Sequence, residues 1–217
     1  MANKEKETKK KSSNTLIQDA LALCIITLIL GALLGGVYTI TKEPIAKVEA
    51  DTKQKAYEAV FPDVSFEQDD ELDSKLEKFV NGSSLTDNGL DDVVLSEVLA
   101  AKNDAGELQG YVMSVAGKGY GGLVNLSVGV NLEGTIIGIE VLSASDETPG
   151  LGARCTEPDW NGQYKEKSTA DLPLEVTKSG ASANNQIEAI SGATITSRAV
   201  TRAMNAGLAF TETLLAE

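Results

Sequence analysis

Residues 20–40 form an uncharged, strongly apolar run that follows directly on a lysine-rich N-terminus. The hydrocarbon core of a bilayer is about 30 Å thick and takes roughly 20 helical residues, so the run has the length of one membrane span. A cleaved signal peptide begins in the same way, but its apolar core is only about 7 to 15 residues long. No clear small-x-small cleavage site follows before Lys42. We therefore expect a single transmembrane helix over 16–40.

Charge is distributed unevenly along the chain. Residues 1–15 hold five lysines and two glutamates, whereas the whole chain has a net charge of −13. Positive charge beside a membrane span favours the cytoplasmic side, so we expect a basic cytoplasmic N-terminus and an acidic domain on the outer face of the cell membrane. An acidic domain repels phosphate backbones, which disfavours nucleic-acid binding.

Histidine is absent, and the two cysteines, Cys24 and Cys155, are far apart in the sequence. The first property removes the commonest metal ligand and the usual general base at neutral pH, so zinc hydrolases and histidine-dependent triads are excluded. The second predicts no disulfide framework. We assign no catalytic residue and no metal site, and any redox chemistry must come from an organic cofactor or from partners.

The chain after the apolar run divides into a juxtamembrane segment, 41–64, and a folded domain, 65–217. Apolar residues at helical spacing within 44–61 predict a juxtamembrane helix. The acidic stretch 65–92 carries Asn-Gly turn signals and predicts loops and a short helix with a solvated surface.

A strand-rich region follows. Four β-rich runs, 93–101, 108–116, 123–130 and 135–143, are separated by short glycine-containing turns, which predicts an antiparallel meander. A short strand is expected at 174–177 and a last helix from about Thr194. The apolar face of that helix should pack on the sheet. Its members are Val200, Met204, Leu208, Thr211 and Leu215. The fold class is α+β: an N-terminal transmembrane helix, then a mainly antiparallel sheet with flanking helices.

The start of the last helix is the strongest functional signal. Residues 191–197 are small or hydroxylated, and a helix N-terminus carries unpaired N–H groups and a positive dipole end that bind phosphate. The Thr194 hydroxyl at this position can become a phosphate ester. Thr196 and Ser197 are candidate donors, with plain helix N-caps as the alternative. Lys178 and Arg198 are candidates to offset phosphate charge, although a surface role is the commoner one for both.

Two glycine-rich loops precede this segment. Loop 117–122 has the G-x-G-x-x-G spacing, but a strand follows it, so a wide hairpin turn beside a ligand is the better interpretation. Loop 147–152 places Pro149 before two glycines that allow close approach of a planar ligand.

The Ser-Gly-Ala-Thr motif of 191–194 and loops 117–122 and 147–152 together resemble the FMN-binding domain of the G subunit of Rnf electron transport complexes, over essentially the whole chain. The resemblance implies FMN joined through its phosphate to Thr194 by a dedicated flavin transferase. It also implies membrane and peripheral partner subunits. The implied cofactor contacts are Thr194, Ser191, Gly192, Ala193, Ile195, Thr196, Glu147, Thr148, Gly150, Leu151 and Gly152.

The function that the resemblance implies is an FMN-carrying electron relay in a complex that couples electron transfer between ferredoxin and NAD to ion translocation. The C subunit of the sodium-pumping NADH:quinone reductase has a similar domain and bond, so it remains an alternative. A membrane-anchored flavin sensor or assembly module without electron throughput is another. A third is a flavin-free domain in which the motif only caps a helix.

Overall fold

The computed structural model describes residues 2–216, with side chains from residue 16 onward. The lysine side chains expected to set membrane orientation therefore lie outside the described residues. The chain divides into two compact units, 1–51 and 52–217.

Helix α1 spans Ala2–Val60 and includes Pro44 in its interior. The apolar run at its centre is long and apolar enough to cross a membrane, and none of its residues is buried. The predicted spanning and juxtamembrane helices are thus consecutive parts of one helix. The proposed borders at 15/16, 40/41 and 64/65 stay predictions.

The second unit is built around a five-stranded antiparallel meander, which confirms the α+β class. The four predicted strands are present, and a three-residue edge strand that the sequence did not predict pairs with the first of them. The strands are β1 (Ser65–Glu67), β2 (Val93–Lys102), β3 (Leu108–Lys118), β4 (Leu123–Asn131) and β5 (Ile136–Ser143).

The remaining elements flank this sheet. The helices are α2 (Asp70–Asn81), α3 (Ser84–Asp87), α4 (Pro158–Asn161) and α5 (Thr194–Leu215). Two short parallel strands, β6 (Glu175–Thr177) and β7 (Gln186–Glu188), form a separate sheet. The β6 strand is the one expected at 174–177. Its position is fixed from α5, because the Asn205 amide bonds both backbone groups of Leu174, at 2.9 and 3.0 Å.

Helix α5 packs on one face of the meander and joins the main hydrophobic core. The approach is close, because a Cβ at Gly117 of β3 would collide with the backbone of Ala199. The predicted apolar face is buried except at its last position: Leu215 is 38% exposed, and Leu214 is buried instead. Leu215 is the final residue of the helix, where no further turn covers it.

The opposite face of the sheet carries the end of α1, residues 52–60. A Cβ at Gly138 would overlap the backbone of Val60, so the strand is glycine where the helix end rests on it. Beside it, Tyr57 Oη donates to Glu97 Oε2 at 2.5 Å, and Lys53 Nζ donates to the same oxygen at 2.8 Å. Burial, reinforced by the Glu97 carboxylate, raises the pKa of Tyr57, so its hydroxyl remains a donor at neutral pH.

Candidate functional site

A cavity of about 920 Å³ lies where three segments meet: the β3–β4 hairpin, the loop after β5 and the start of α5. This volume is within the range of about 300 to 1,000 Å³ that is usual for cofactor sites. Ten of the eleven predicted contacts line it; Gly150 does not. The lining residues are Tyr120, Glu147, Thr148, Leu151, Gly152, Lys178, Glu188, Ala189, Ile190, Ser191, Gly192, Ala193, Thr194, Ile195 and Thr196.

A β-turn over residues 190–193 contains the first three residues of the Ser-Gly-Ala-Thr motif and leads into α5. The Ala193 N–H donates to Ile190 O at 2.9 Å, and Gly192 has φ +80° at the third position of this turn. A positive φ there is the property of a type II turn that favours glycine. The turn places the half-buried Thr194 at the first helical residue, on the cavity wall.

No side chain caps the N-terminus of α5. Its N-cap is Ala193, which has no side-chain oxygen, so the N-cap interpretation of Thr196 and Ser197 is wrong. The first N–H groups of a helix have no partner within the helix. Thr194, Ile195 and Thr196, which carry these N–H groups, line a cavity that can hold an anion at the positive end of the helix dipole.

Thr196 and Ser197 direct their hydroxyls inside the protein. Thr196 Oγ1 donates to Glu147 Oε2 at 2.6 Å, so its proton is committed to that carboxylate. Ser197 is fully buried and does not line the cavity; its Oγ accepts from the Ile190 N–H and donates to Ala193 O, both at 3.0 Å. Sequence reasoning identified both hydroxyls and missed these partners.

Glu147 joins the three segments that form the cavity. Its side chain is 4% exposed, and besides Thr196 it accepts the Gly121 N–H at 3.0 Å through Oε1. Both carboxylate oxygens thus act as acceptors. One buried carboxylate therefore fastens the β3–β4 hairpin, 26 residues earlier in the sequence, to the start of α5, 49 residues later.

The glycines around Glu147 leave room for that carboxylate. A Cβ at Gly152 would lie 2.7 Å from Thr196 Oγ1 and 3.0 Å from Glu147 Cδ. A Cβ at Gly119 would be 3.1 Å from the same Cδ, and one at Gly121 would overlap the backbone of Asp146. The 117–122 loop is the hairpin turn that was expected, and it borders the cavity through Tyr120.

The loop after β5 contributes an apolar rim. Gly150 has φ +76° and lies away from the cavity, so its role is to turn the chain rather than to approach a ligand. The turn it makes returns the Leu151 N–H to Thr148 O at 3.1 Å. Leu151 and Ile195 are large apolar side chains that are exposed at the cavity.

Residues 188–190, at the end of β7, form a part of the cavity wall that the sequence did not predict. The Glu188 backbone is held by Trp160 Nε1, which donates to Glu188 O at 2.7 Å, and by Gln163, which accepts its N–H at 2.8 Å. A three-residue strand leaves no periodic signal, so its position depends on tertiary contacts, which include these bonds and its pairing with β6. Lys178 lines the cavity, whereas Arg198 is exposed on α5 outside the lining.

Cys155 is fully buried in the short helical turn after Gly152 and forms no disulfide. Burial, together with the charge of Glu147, raises the pKa of its thiol to about 11. The thiol is therefore protonated at neutral pH and suited to packing. Among the described residues, no group of three or more carboxylate or thiol side chains is placed to hold a metal ion.

The chain matches the FMN-binding domain family over residues 119–209, which contain all three segments of the cavity. It is 32% identical over 90% of its length to the G subunit of the ion-translocating oxidoreductase complex of Methanosarcina acetivorans, covering 94% of that protein. It is 39% identical to the G subunit of the Na⁺-translocating ferredoxin:NAD⁺ oxidoreductase complex of Acetobacterium woodii, over 51% of this chain and 53% of that one.

A match to one subunit of a sodium-pumping quinone reductase covers less of both chains than these two matches do. The C subunit of the Na⁺-translocating NADH-quinone reductase of Pasteurella multocida is 39% identical over 48% of this chain and 42% of its own. The match to the Methanosarcina acetivorans protein, by contrast, runs through the apolar helix as well as the domain. The chain is therefore a membrane-anchored member of the G-subunit family of ion-translocating oxidoreductase complexes and contains an FMN-binding domain.

Proposed function

We propose that this protein is the FMN-carrying electron-relay subunit of a membrane complex that transfers electrons between ferredoxin and NAD and couples this transfer to ion translocation. The observation that carries the proposal is the convergence of 147–152 and 191–196 on one cavity, inside the region that matches the FMN-binding family. Bound FMN supplies the electron-accepting and electron-donating chemistry, and the protein positions it. The protein does not turn over alone.

FMN is held by Thr194 through a covalent phosphoester in this proposal. Backbone N–H groups at the start of α5 surround the phosphate, and Lys178 contributes a cation to the same wall. The exposed apolar side chains Leu151 and Ile195 offer contact area for the planar ring. A tether is required because a freely dissociating flavin on the outer face of the membrane is lost by diffusion.

The attachment needs an activated flavin. A phosphoester between Thr194 Oγ and FMN forms when Oγ attacks the FMN phosphorus of FAD, the phosphoanhydride breaks and AMP departs. Thr194 is half-buried, so its hydroxyl is within reach of a modifying enzyme. A flavin transferase is the expected maturation partner. In this proposal the domain lies on the outer face of the membrane and the N-terminus lies in the cytoplasm. The protein assembles with the other membrane and peripheral subunits of the complex.

The three alternative functions predict different partners, electron transfer or flavin content. The C subunit of a sodium-pumping NADH:quinone reductase would share the bond to Thr194 but act with quinone-reducing partners. A flavin sensor or assembly module would keep the flavin and show no electron throughput. A flavin-free domain would stay colourless in the presence of a transferase.

Intact-protein mass spectrometry tests the attachment. The full chain, coexpressed with a flavin transferase, is expected to gain the mass of one FMN moiety, and fragmentation is expected to place it on Thr194. Thr194→Ala should lack the added mass, and Thr201→Ala is the control, because Thr201 is buried in the same helix outside the cavity. An unmodified wild type, or a modified Thr194→Ala variant, would contradict the proposal.

A further inference from the structure

The Ser197 hydroxyl binds both ends of the turn that presents Thr194. The turn begins at Ile190 and ends at Ala193, and it already has its own backbone bond between these residues. On the other side of the turn, Ser197 Oγ accepts the Ile190 N–H and donates to the Ala193 carbonyl. One hydroxyl thus uses its donor and its acceptor capacity on the same four-residue turn.

Only part of this arrangement is ordinary for a helical serine. A bond from a serine or threonine hydroxyl to the carbonyl four residues earlier is common, and Ser197 makes one to Ala193. The bond that Ser197 Oγ accepts from the Ile190 N–H, seven residues earlier, is different: it is a tertiary contact between α5 and the segment that precedes it. Ile190 is itself buried, and its N–H uses the Ser197 hydroxyl as its acceptor.

Ser197 cannot act on a ligand directly. It is fully buried and absent from the cavity lining, while Ser191 and Gly192 in the turn and Thr194 just after it all line the cavity. Any influence it has on bound phosphate must pass through the turn. Two backbone bonds hold the turn, from the Ala193 N–H to Ile190 O and from the Ser197 N–H to Ala193 O. The turn contains a glycine at φ +80° and has no capping side chain, so the Ser197 hydroxyl is its additional side-chain restraint.

We propose that Ser197 is a positioning residue for flavin attachment: its hydroxyl fixes the 190–193 turn so that Thr194 Oγ is held for attack on the activated flavin phosphorus. This inference rests on the proposed function. In the attachment, the bond from Thr194 Oγ to phosphorus forms, the phosphoanhydride of FAD breaks, AMP leaves and the hydroxyl proton is released. Ser197 takes part in none of these bonds.

Two isosteric variants separate the hydroxyl from the space it occupies. Ser197→Thr and Ser197→Val add the same bulk and differ in the presence of the hydroxyl. We expect Ser197→Thr to be flavinylated much faster than Ser197→Val, by about tenfold or more, because misplacement of a reacting atom by 1 Å can cost about a hundredfold in rate. Rates are followed as covalent flavin fluorescence in denaturing gels, with purified transferase and FAD.

Thr211→Val is the matched control. Thr211 is also fully buried in α5 and also donates to the carbonyl four residues earlier, at 2.9 Å, but it has no contact with the turn. It should lose stability without losing flavinylation rate. Melting temperatures are measured for all variants, so that unfolding is not mistaken for misplacement.

Amide hydrogen exchange provides a readout that needs no flavin. Exchange at Ile190 in the unmodified chain should be about tenfold faster in Ser197→Val than in Ser197→Thr, with Thr211→Val unchanged. Equal flavinylation of the two Ser197 variants, or equal protection of Ile190, overturns the inference. If wild type gains no flavin on Thr194, the proposed function itself fails, which is a different result from equal rates in modified variants.

Discussion

At the scale of single residues, Glu147 is the side chain that connects the β3–β4 hairpin to the start of α5. Its carboxylate accepts one bond from the β3–β4 hairpin and one from α5, and it is almost completely buried. Glu147→Ala leaves the Thr196 hydroxyl and the Gly121 N–H without this acceptor. We expect a loss of about 2 to 3 kcal/mol in the free energy of unfolding, measured by urea denaturation.

Glu157→Ala is the control for this prediction. Glu157 pairs with Arg154 at 3.0 Å on the surface, and both side chains are about half exposed. Its removal should cost only about 0 to 1 kcal/mol. Equal losses in the two variants would show that Glu147 does not join the segments in solution.

Cys155 offers a second test at this scale. With a pKa of about 11 and no exposed surface, its thiol should resist iodoacetamide at pH 8 in the folded protein. The same thiol should react readily in urea, where it is exposed. Peptide mass spectrometry reads the labelling of Cys155 separately from that of Cys24. Rapid labelling of the folded protein would contradict the burial.

At the scale of elements, the loop after β5 depends on a glycine that packs against other segments. We expect Gly152→Ala to cost about 1 to 3 kcal/mol, because its Cβ meets Thr196 and Glu147. Gly162→Ala is the matched control: its φ is −58°, and nothing lies within 4 Å of the added atom. The control should be neutral or more stable by up to about 1 kcal/mol. Urea denaturation of both variants measures the difference.

The contact between the end of α1 and the sheet should depend on pH. Burial opposes ionisation of Glu97, but hydrogen bonds from Lys53 and Tyr57 outweigh it and lower the pKa of this carboxyl. A lowered folded-state pKa stabilises the protein above the unfolded value, about 4.3, and this stabilisation is lost as the pH falls through the folded value.

Glu97→Gln should therefore be less stable than wild type by about 1 kcal/mol at pH 7, and the difference should shrink as the pH falls below about 4. Chemical denaturation of both proteins across this range measures it. A difference that stays constant with pH would mean that the carboxylate charge does not stabilise this contact.

The sequence predicted the helices and strands better than the tertiary contacts between them. The four strands from β2 to β5 have strong β-propensity and glycine-rich turns, so their order and antiparallel pairing followed from local signals. The three-residue strands β1 and β7 were missed because so short a segment carries no periodicity. The equally short β6 is predicted only from the β-rich run that follows Pro173. The bond between Glu147 and Thr196 depends on tertiary packing across 49 residues and has no local signature.

At the scale of the whole molecule, an acidic FMN-binding domain follows an N-terminal helix that is long and apolar enough to anchor it. This combination suits an electron carrier that stays at the membrane and exchanges electrons with neighbouring subunits. The match to the G subunit of Methanosarcina acetivorans covers 90% of the chain, so it extends well beyond the FMN-binding domain. Electron throughput distinguishes this account from a sensor or an assembly module.

Ferredoxin-dependent NAD reduction by membranes that contain the complete complex measures directly whether this protein carries electrons through FMN on Thr194. Wild-type membranes should be active, and membranes with Thr194→Ala should lose nearly all activity while retaining the protein at wild-type abundance, as judged by immunoblotting. Activity that survives the substitution at wild-type level, with no flavin on this protein, would contradict the electron-relay function.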